Sequence, residues 1–174
     1  QGHLLPNDWE IVHQTGAADL QVVRDFYAGG PWRVRVEPFL NAMDEELAAA
    51  TLVISRAGAG ALAELACARS VAILLPLMPS ADQHQWHNAD YYVTAGAARV
   101  VDERPADAAA DLSRTLAELV QSPELRAGLS AGMGQAARPA ASRRVAEFLI
   151  ELAGARLTMV PAVGSCECEG CADP

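Results

Sequence analysis

The sequence predicts an α/β fold, a Rossmann-like parallel sheet with helices on both faces. Two observations carry that expectation. Strand-like and helix-like segments alternate from Trp9 to Val101, the order expected of a parallel, doubly wound sheet. The segments Thr51–Ser55 and Val71–Leu75 are short apolar runs without polar alternation, as expected of strands covered on both sides. The composition agrees: 51 % of the residues are hydrophobic but only 5 % aromatic, which favours helices packed through small side chains. A chain of 174 residues suits a single core of this kind.

Trp9–Gln14 reads as the first strand, ended by Thr15-Gly16. Ala17–Tyr27 reads as a helix with Leu20, Val23 and Phe26 on one face, broken by Gly29-Gly30-Pro31. Trp32–Val36 alternates as a strand, and Pro38-Phe39-Leu40 turns the chain into a short helix over Met43–Ala49. The apolar strand Thr51–Ser55 runs into Arg56-Ala57-Gly58-Ala59-Gly60 and a helix from Ala61 to Ala68. Val71–Leu75 is the next strand, ended by Pro76. A loop over Met78–Gln83 leads to a helix over His84–Ala95 with Gly96 as its cap, and Ala97–Val101 is the last strand. Helices over Ala106–Val120, Pro123–Met133 and Ser142–Ala153 complete a domain expected over residues 1–157. Residues 158–174, rich in Pro, Gly and acidic residues, read as a disordered, cysteine-containing tail.

The net charge of −9 argues against a nucleic-acid partner, which needs a basic face. No run approaches the roughly 18 apolar residues of a membrane span, and the first residues lack the marks of a signal peptide. Cys67 falls in an apolar helical pattern and is expected to be a buried thiol. Cys166, Cys168 and Cys171 form a C-x-C-x-x-C cluster without a nearby fourth ligand, so neither a metal nor another cofactor is expected. Unpaired thiols of this kind fit a cytoplasmic setting.

In doubly wound sheets ligands bind beyond the carboxyl ends of the strands, and two segments lie there. In Arg56–Glu64, Gly58 and Gly60 admit close approach to the backbone, and the helix start offers unpartnered N–H groups at the positive end of its dipole. That suits a diphosphate, with Arg56 beside it. Glu64, about one turn further in, could accept hydrogen bonds from a ribose diol. The same segment also reads as an ordinary strand–helix turn with Glu64 in solvent. In Pro76–Asn88, the residues Asp82, Gln83, His84, Gln85 and Asn88 offer the mixed donors and acceptors that suit sugar hydroxyls, or else cap the next helix. His13 reads as a structural histidine, and His3 and His87 as surface residues. No nucleophile–base pair and no catalytic residue is evident.

The stretches VHQTG (Val12–Gly16), VEPFLNAM (Val36–Met43), ATLVISRAGAGALAELA (Ala50–Ala66) and PLMPSADQHQWHNADYYVTAGAARVVDE (Pro76–Glu103) stand in one order and spacing. Together they resemble the undecaprenyldiphospho-muramoylpentapeptide β-N-acetylglucosaminyltransferases, bacterial GT-B enzymes of glycosyltransferase family 28 that make lipid II for peptidoglycan. The resemblance covers about residues 9–150 and implies the C-terminal, donor-binding half of the GT-B fold. It implies UDP-GlcNAc as donor, with Phe39 and Leu40 at the uracil (the latter by its backbone), Arg56 and the Ala59 N–H at the phosphates, and Glu64 at the ribose. His84, Gln85 and Asn88 would surround the N-acetylglucosamine. Lipid I would be the acceptor, held by an N-terminal domain or partner chain, and the full enzyme would be peripheral at the cytoplasmic face of the inner membrane. The resemblance also implies that this chain lacks the first strand of the sheet and is inactive alone. Two related alternatives are a free-standing catalytic subunit paired with another chain and a non-catalytic remnant. The chain departs from the family at Gly60-Ala61, where hydroxyl residues are usual, and at Arg69-Ser70-Val71, where a Gly-containing turn is usual.

Overall fold

The computed structural model describes residues 5–6, 8–77 and 83–154. Along the chain come β1 (Glu10–Gln14), α1 (Leu20–Tyr27), β2 (Arg33–Glu37), α2 (Met43–Ala49), β3 (Val53–Ser55), α3 (Ala59–Cys67), β4 (Ala72–Leu74), α4 (His84–Thr94) and β5 (Ala98–Val100). The helices α5 (Ala108–Gln121), α6 (Pro123–Ala136) and α7 (Ala141–Leu152) follow. One compact unit runs to Arg138 and a second begins at Pro139. In the second, α7 exposes Val145, Phe148, Leu149 and Leu152, an apolar stripe at helical spacing. No helix among the described residues is long and apolar enough to cross a membrane.

Every strand pairing is parallel, as the alternation of elements requires. β1 pairs with β2 from Glu10↔Arg33 to Gln14↔Glu37, and the ladder continues past the strand ends through Thr15 N–H to Glu37 O and Gly16 N–H to Pro38 O, each 3.0 Å. β4 lies between β3 and β5. Among the described residues no ladder joins β1 to β3, and their strands form a pair and a triplet. The doubly wound order 3-2-1-4-5-6, taken without its strand 1, leaves these same two groups.

β4 shows why its sequence does not alternate. Ala72 and Leu74 pack with Leu62, Leu65 and Ala66 of α3, Ala89 of α4 and Met133 of α6. Ile73 lies in the other cluster, with Val71, Val101, Leu119 of α5 and Leu129 of α6. Both faces are therefore sealed, and burying Ile73 alone contributes about 1.5–3 kcal/mol. β3 differs from the expectation of burial on both faces. It has one pairing partner, and Ile54 remains 46 % exposed.

Two apolar side chains also lie elsewhere than expected. α3 buries only the strip formed by Leu62, Leu65 and Ala66, which leaves Cys67 exposed on the other side with Gly60 and Glu64. On α1 the inward line is Leu20, Val23 and Tyr27, and Phe26, one residue off that line, is exposed. His13 is structural, as expected: its Nδ1 is 3.2 Å from the Tyr27 hydroxyl. His87 is exposed; His3 and the tail from 158 on lie outside the described residues.

α3 and α4 end in the same hydrogen-bonded turn with different residues at its left-handed position. In α4, Gly96 (φ 66) takes that position, with Gly96 N–H to Val93 O and Ala97 N–H to Tyr92 O. In α3 it is Arg69 (φ 54), with Arg69 N–H to Ala66 O and Ser70 N–H to Leu65 O. The missing cap glycine thus leaves the turn intact and places an L side chain in a conformation that favours glycine.

Candidate functional site

Three loops at strand carboxyl ends carry the residues singled out in the sequence. The first joins β3 to α3. Gly58 is the N-cap of α3, in extended conformation, and no side chain caps the helix. The first intrahelical bond is donated by Leu62 N–H to Gly58 O, 2.9 Å. The amides of Ala59, Gly60 and Ala61 therefore lack helical acceptors, at the positive end of the dipole. The helix begins two residues earlier than the sequence suggests, which draws Ala59 and Gly60 into its first turn. A Cβ built on Gly58 or Gly60 would meet nothing within 4 Å. Gly58 has φ −70, so neither neighbours nor conformation requires its glycine. The space these glycines leave is open to a ligand.

The flanks of α3 differ. On one, the Asn88 Nδ2 amide donates to the Ala57 carbonyl, 3.0 Å, and ties the start of α4 to the turn before α3. Ala59, Leu62, His87, Asn88, Tyr91 and Tyr92 line a pocket of about 240 Å³ there. Glu64 lies roughly 140° around the helix from Ala59. It is exposed, and its carboxylate has no side-chain hydrogen bond among the described residues. The structure thus brings Asn88 to Ala59 and sets Glu64 on another face of the same helix.

The polar residues of the second segment are partly committed to holding it. Gln85 Oε1 accepts from Leu77 N–H, 2.9 Å, and pins the segment after β4 to the first turn of α4. Asn88 keeps its side-chain carbonyl, Gln85 its amide, and His84 is exposed at the helix start. Gln83, the N-cap of α4, is left-handed at φ 48. Asp82 lies outside the described residues.

Arg56, expected beside the diphosphate, is already paired within the chain. Its Nη1 forms an ion pair with Glu103 and donates to the Leu75 carbonyl, 3.0 Å. Next to Glu103, Arg104 makes a two-pronged pair with Asp102 and lies over the Trp86 ring, 5.3 Å from its centroid. Hydrogen bonds from Arg104 hold the Asp102 carboxyl below its usual range. The loop after β5 thereby reaches both Arg56, after β3, and α4.

The third segment follows β2. Phe39 is 66 % exposed, whereas the Leu40 side chain is buried. The Leu40 N–H donates to Gln14 Oε1, 2.8 Å, so the last residue of β1 fixes the backbone of the 38–40 turn. Gln14 and Glu103 are the site residues that sequence reasoning missed. Both stand inside the quoted motifs at a strand's carboxyl end, and that position was the available signal. Among the described residues no group of His, Cys, Asp and Glu is arranged to hold a metal ion; the three tail cysteines lie outside them.

A family model described as the glycosyltransferase family 28 C-terminal domain matches residues 3–144. Two curated relatives bear the name UDP-N-acetylglucosamine--N-acetylmuramyl-(pentapeptide) pyrophosphoryl-undecaprenol N-acetylglucosamine transferase. The protein of Sorangium cellulosum (strain So ce56) is 41 % identical over 150 residues, 85 % of this chain and 37 % of the relative. That of Anaeromyxobacter sp. (strain K) is 36 % identical over 143 residues, 82 % of this chain and 37 % of the relative. The chain therefore spans little more than a third of the relatives it matches. The crystal structure of Acinetobacter baumannii MurG superposes with a TM-score of 0.73 at 27 % identity, covering 82 % of this chain and 43 % of that one.

Proposed function

The chain belongs to glycosyltransferase family 28, through that family's C-terminal domain, and from that premise we propose that it binds UDP-GlcNAc as the donor-binding part of a lipid II-forming transferase. The complete enzyme would move N-acetylglucosamine to lipid I with inversion and release UDP. The observation that carries the reading is the uncapped start of α3, with open space before it and Glu64 one turn in.

The diphosphate meets the free amides of Ala59 to Ala61, which stabilise the charge that builds on departing UDP. Glu64 accepts from the ribose hydroxyls on its face of the helix. The uracil lies against Phe39, with Leu40 supplying backbone contacts. Toward α4, His84, Gln85 and Asn88 meet the sugar. Arg56 contributes through the guanidinium N–H groups left after Glu103 and Leu75 are served. The reading calls for no metal and no organic cofactor. The acceptor and the proton-accepting base belong to a part of the enzyme outside this match, so the matched domain by itself binds donor without turnover. By the same reading the full enzyme works at the cytoplasmic face of the membrane that carries lipid I.

Calorimetry of the chain with UDP and UDP-GlcNAc, with and without a chelator, tests this. Chelator-insensitive binding of both is expected, and a folded chain that binds neither refutes it. An assay with lipid I and UDP-GlcNAc should show product only when the remainder of such an enzyme is added.

A further inference from the structure

We propose that Glu103 sets how readily UDP leaves the site, by holding Arg56 as a neutral ion pair beside the start of α3. The proposal rests on the nucleotide-binding reading above and adds to it a positioning residue that acts through Arg56. Arg56 follows β3 directly and precedes the Gly58 N-cap by one turn residue, Ala57. Its Nη1 serves both the Glu103 carboxylate and the Leu75 carbonyl, the latter at 3.0 Å. One guanidinium thus joins the chain just past the carboxyl ends of β3, β4 and β5. Nε and Nη2 keep their N–H donors, so the side chain can hydrogen-bond a phosphate while its charge is already balanced.

Glu103 is itself held in place by its neighbours. Asp102 and Arg104, on either side of it, form a two-pronged ion pair, and the Arg104 N–H donates to Asp102 Oδ1 at 3.0 Å. The Arg104 guanidinium lies over the Trp86 ring of α4. The Arg56 and Glu103 side chains are each nearly half exposed, so a ligand can reach the pair.

The chemistry of the transfer gives this neutral pair a consequence. In the donor, the outer phosphate is esterified to the sugar. When the bond to the anomeric carbon breaks, UDP keeps the oxygen and gains a terminal phosphate, whose second ionisation has a pKa of about 6. A bare arginine would therefore grip the product harder than the donor. With Glu103 on the guanidinium that extra attraction is offset, and the α3 amides remain the main hold on the diphosphate. Glu103 thus weakens the hold on UDP more than the hold on UDP-GlcNAc.

Glu103→Gln keeps the shape of the side chain and removes its charge. On the full chain, UDP dissociation is read from ligand NMR line shapes, and affinities for UDP and UDP-GlcNAc by calorimetry. Uridine, which lacks phosphate, is titrated by chemical shift. UDP should leave Glu103→Gln roughly 3- to 10-fold more slowly than wild type. The gain for UDP-GlcNAc should be smaller, and uridine should bind as before. Arg56→Ala should still bind UDP through the α3 amides, and adding Glu103→Gln to it should change UDP release by less than about twofold.

UDP release unchanged or faster in Glu103→Gln overturns the role of Glu103. So does a gain for uridine or UDP-GlcNAc as large as that for UDP. The same slowing in the Arg56→Ala chain overturns it too, because the carboxylate then repels phosphate directly. A folded Arg56→Ala chain that binds no UDP does likewise, since formal charge and not the amides then holds the diphosphate. If a melting curve shows Arg56→Ala unfolded, the three-ligand comparison in Glu103→Gln decides alone. Each of these results leaves nucleotide binding standing, whereas a wild type that binds no nucleotide overturns the underlying reading itself.

Discussion

Replacing Glu64 with alanine separates binding from folding, because the structure gives this side chain nothing to do in the fold. Glu64 is exposed, lies off the buried strip of α3, and makes no side-chain hydrogen bond among the described residues. Alanine is at least as good a helix former, so stability should change by no more than about 0.5 kcal/mol. Binding should change far more. Hydrogen bonds to an ionised carboxylate contribute about 1.5–3 kcal/mol each. Two of them, less the cost of drying an exposed carboxylate, amount to roughly 2–4 kcal/mol, or about 30- to 900-fold in the dissociation constant. The assay is calorimetry with UDP, paired with a melting curve. Repeating the titration with 2′-deoxy-UDP makes the assignment specific: the deoxy ligand should bind the wild type more weakly than UDP does, and the variant should no longer distinguish the two. UDP binding equal to wild type in Glu64→Ala, with the melt unchanged, refutes the ribose role.

Three further outcomes follow from contacts in the structure. Glu103→Gln removes the carboxylate that neutralises Arg56; both side chains are nearly half exposed, so stability should fall by less than about 1 kcal/mol. UDP should bind roughly 3- to 10-fold more tightly as the guanidinium is released to the phosphates, and an unchanged or weaker affinity shows that Glu103 does not compete. Gly132→Ala in α6 would place a Cβ 2.6 Å from Gly96 O and 2.9 Å from its carbonyl carbon; the overpacking should cost about 1–3 kcal/mol. Gly128→Ala on the same helix meets nothing within 4 Å and should stabilise by up to about 1 kcal/mol, so equal melting temperatures for the two variants contradict the packing. Asp102 should titrate below 3.8 by NMR, and Arg104→Ala should return it toward that value. Because its pKa is lowered in the fold, what the pair contributes is present above the unfolded pKa and lost as pH falls through the folded one.

Much of the fold was legible because its signals are local. The end of β4 at Pro76, the break after α1 at Gly29-Gly30 and the Gly96 cap of α4 are each written in adjacent residues, and the elements begin and end close to those marks. Cys67 was misplaced because α3 is apolar nearly all round; periodicity cannot single out a buried face where alanine fills the other positions. Phe26 was misplaced by the same limit, since Leu20 and Val23 fit a line ending at either 26 or 27. At the site, the helix start and the approach of Asn88 were within reach, because both follow from strand–helix order. The Arg56–Glu103 pair and the Gln14–Leu40 bond were not: they span 47 and 26 residues and depend on which strands are neighbours.

On the proposed reading, the Arg56–Glu103 pair changes how an acidic protein holds a diphosphate. With a net charge of −9 and its arginine already balanced, this site has no surplus of formal positive charge to offer. What it has is a row of backbone amides fixed by the helix and kept clear of side chains at Gly58 and Gly60. Amides in a helix start are oriented before the ligand arrives, so little reorganisation accompanies charge building on the leaving group. A flexible cation would have to be positioned during the reaction. On the proposed reading the open glycines and the uncapped helix form one device for the diphosphate, with Asn88 tied to the turn before it and Glu64 on another face of the same helix.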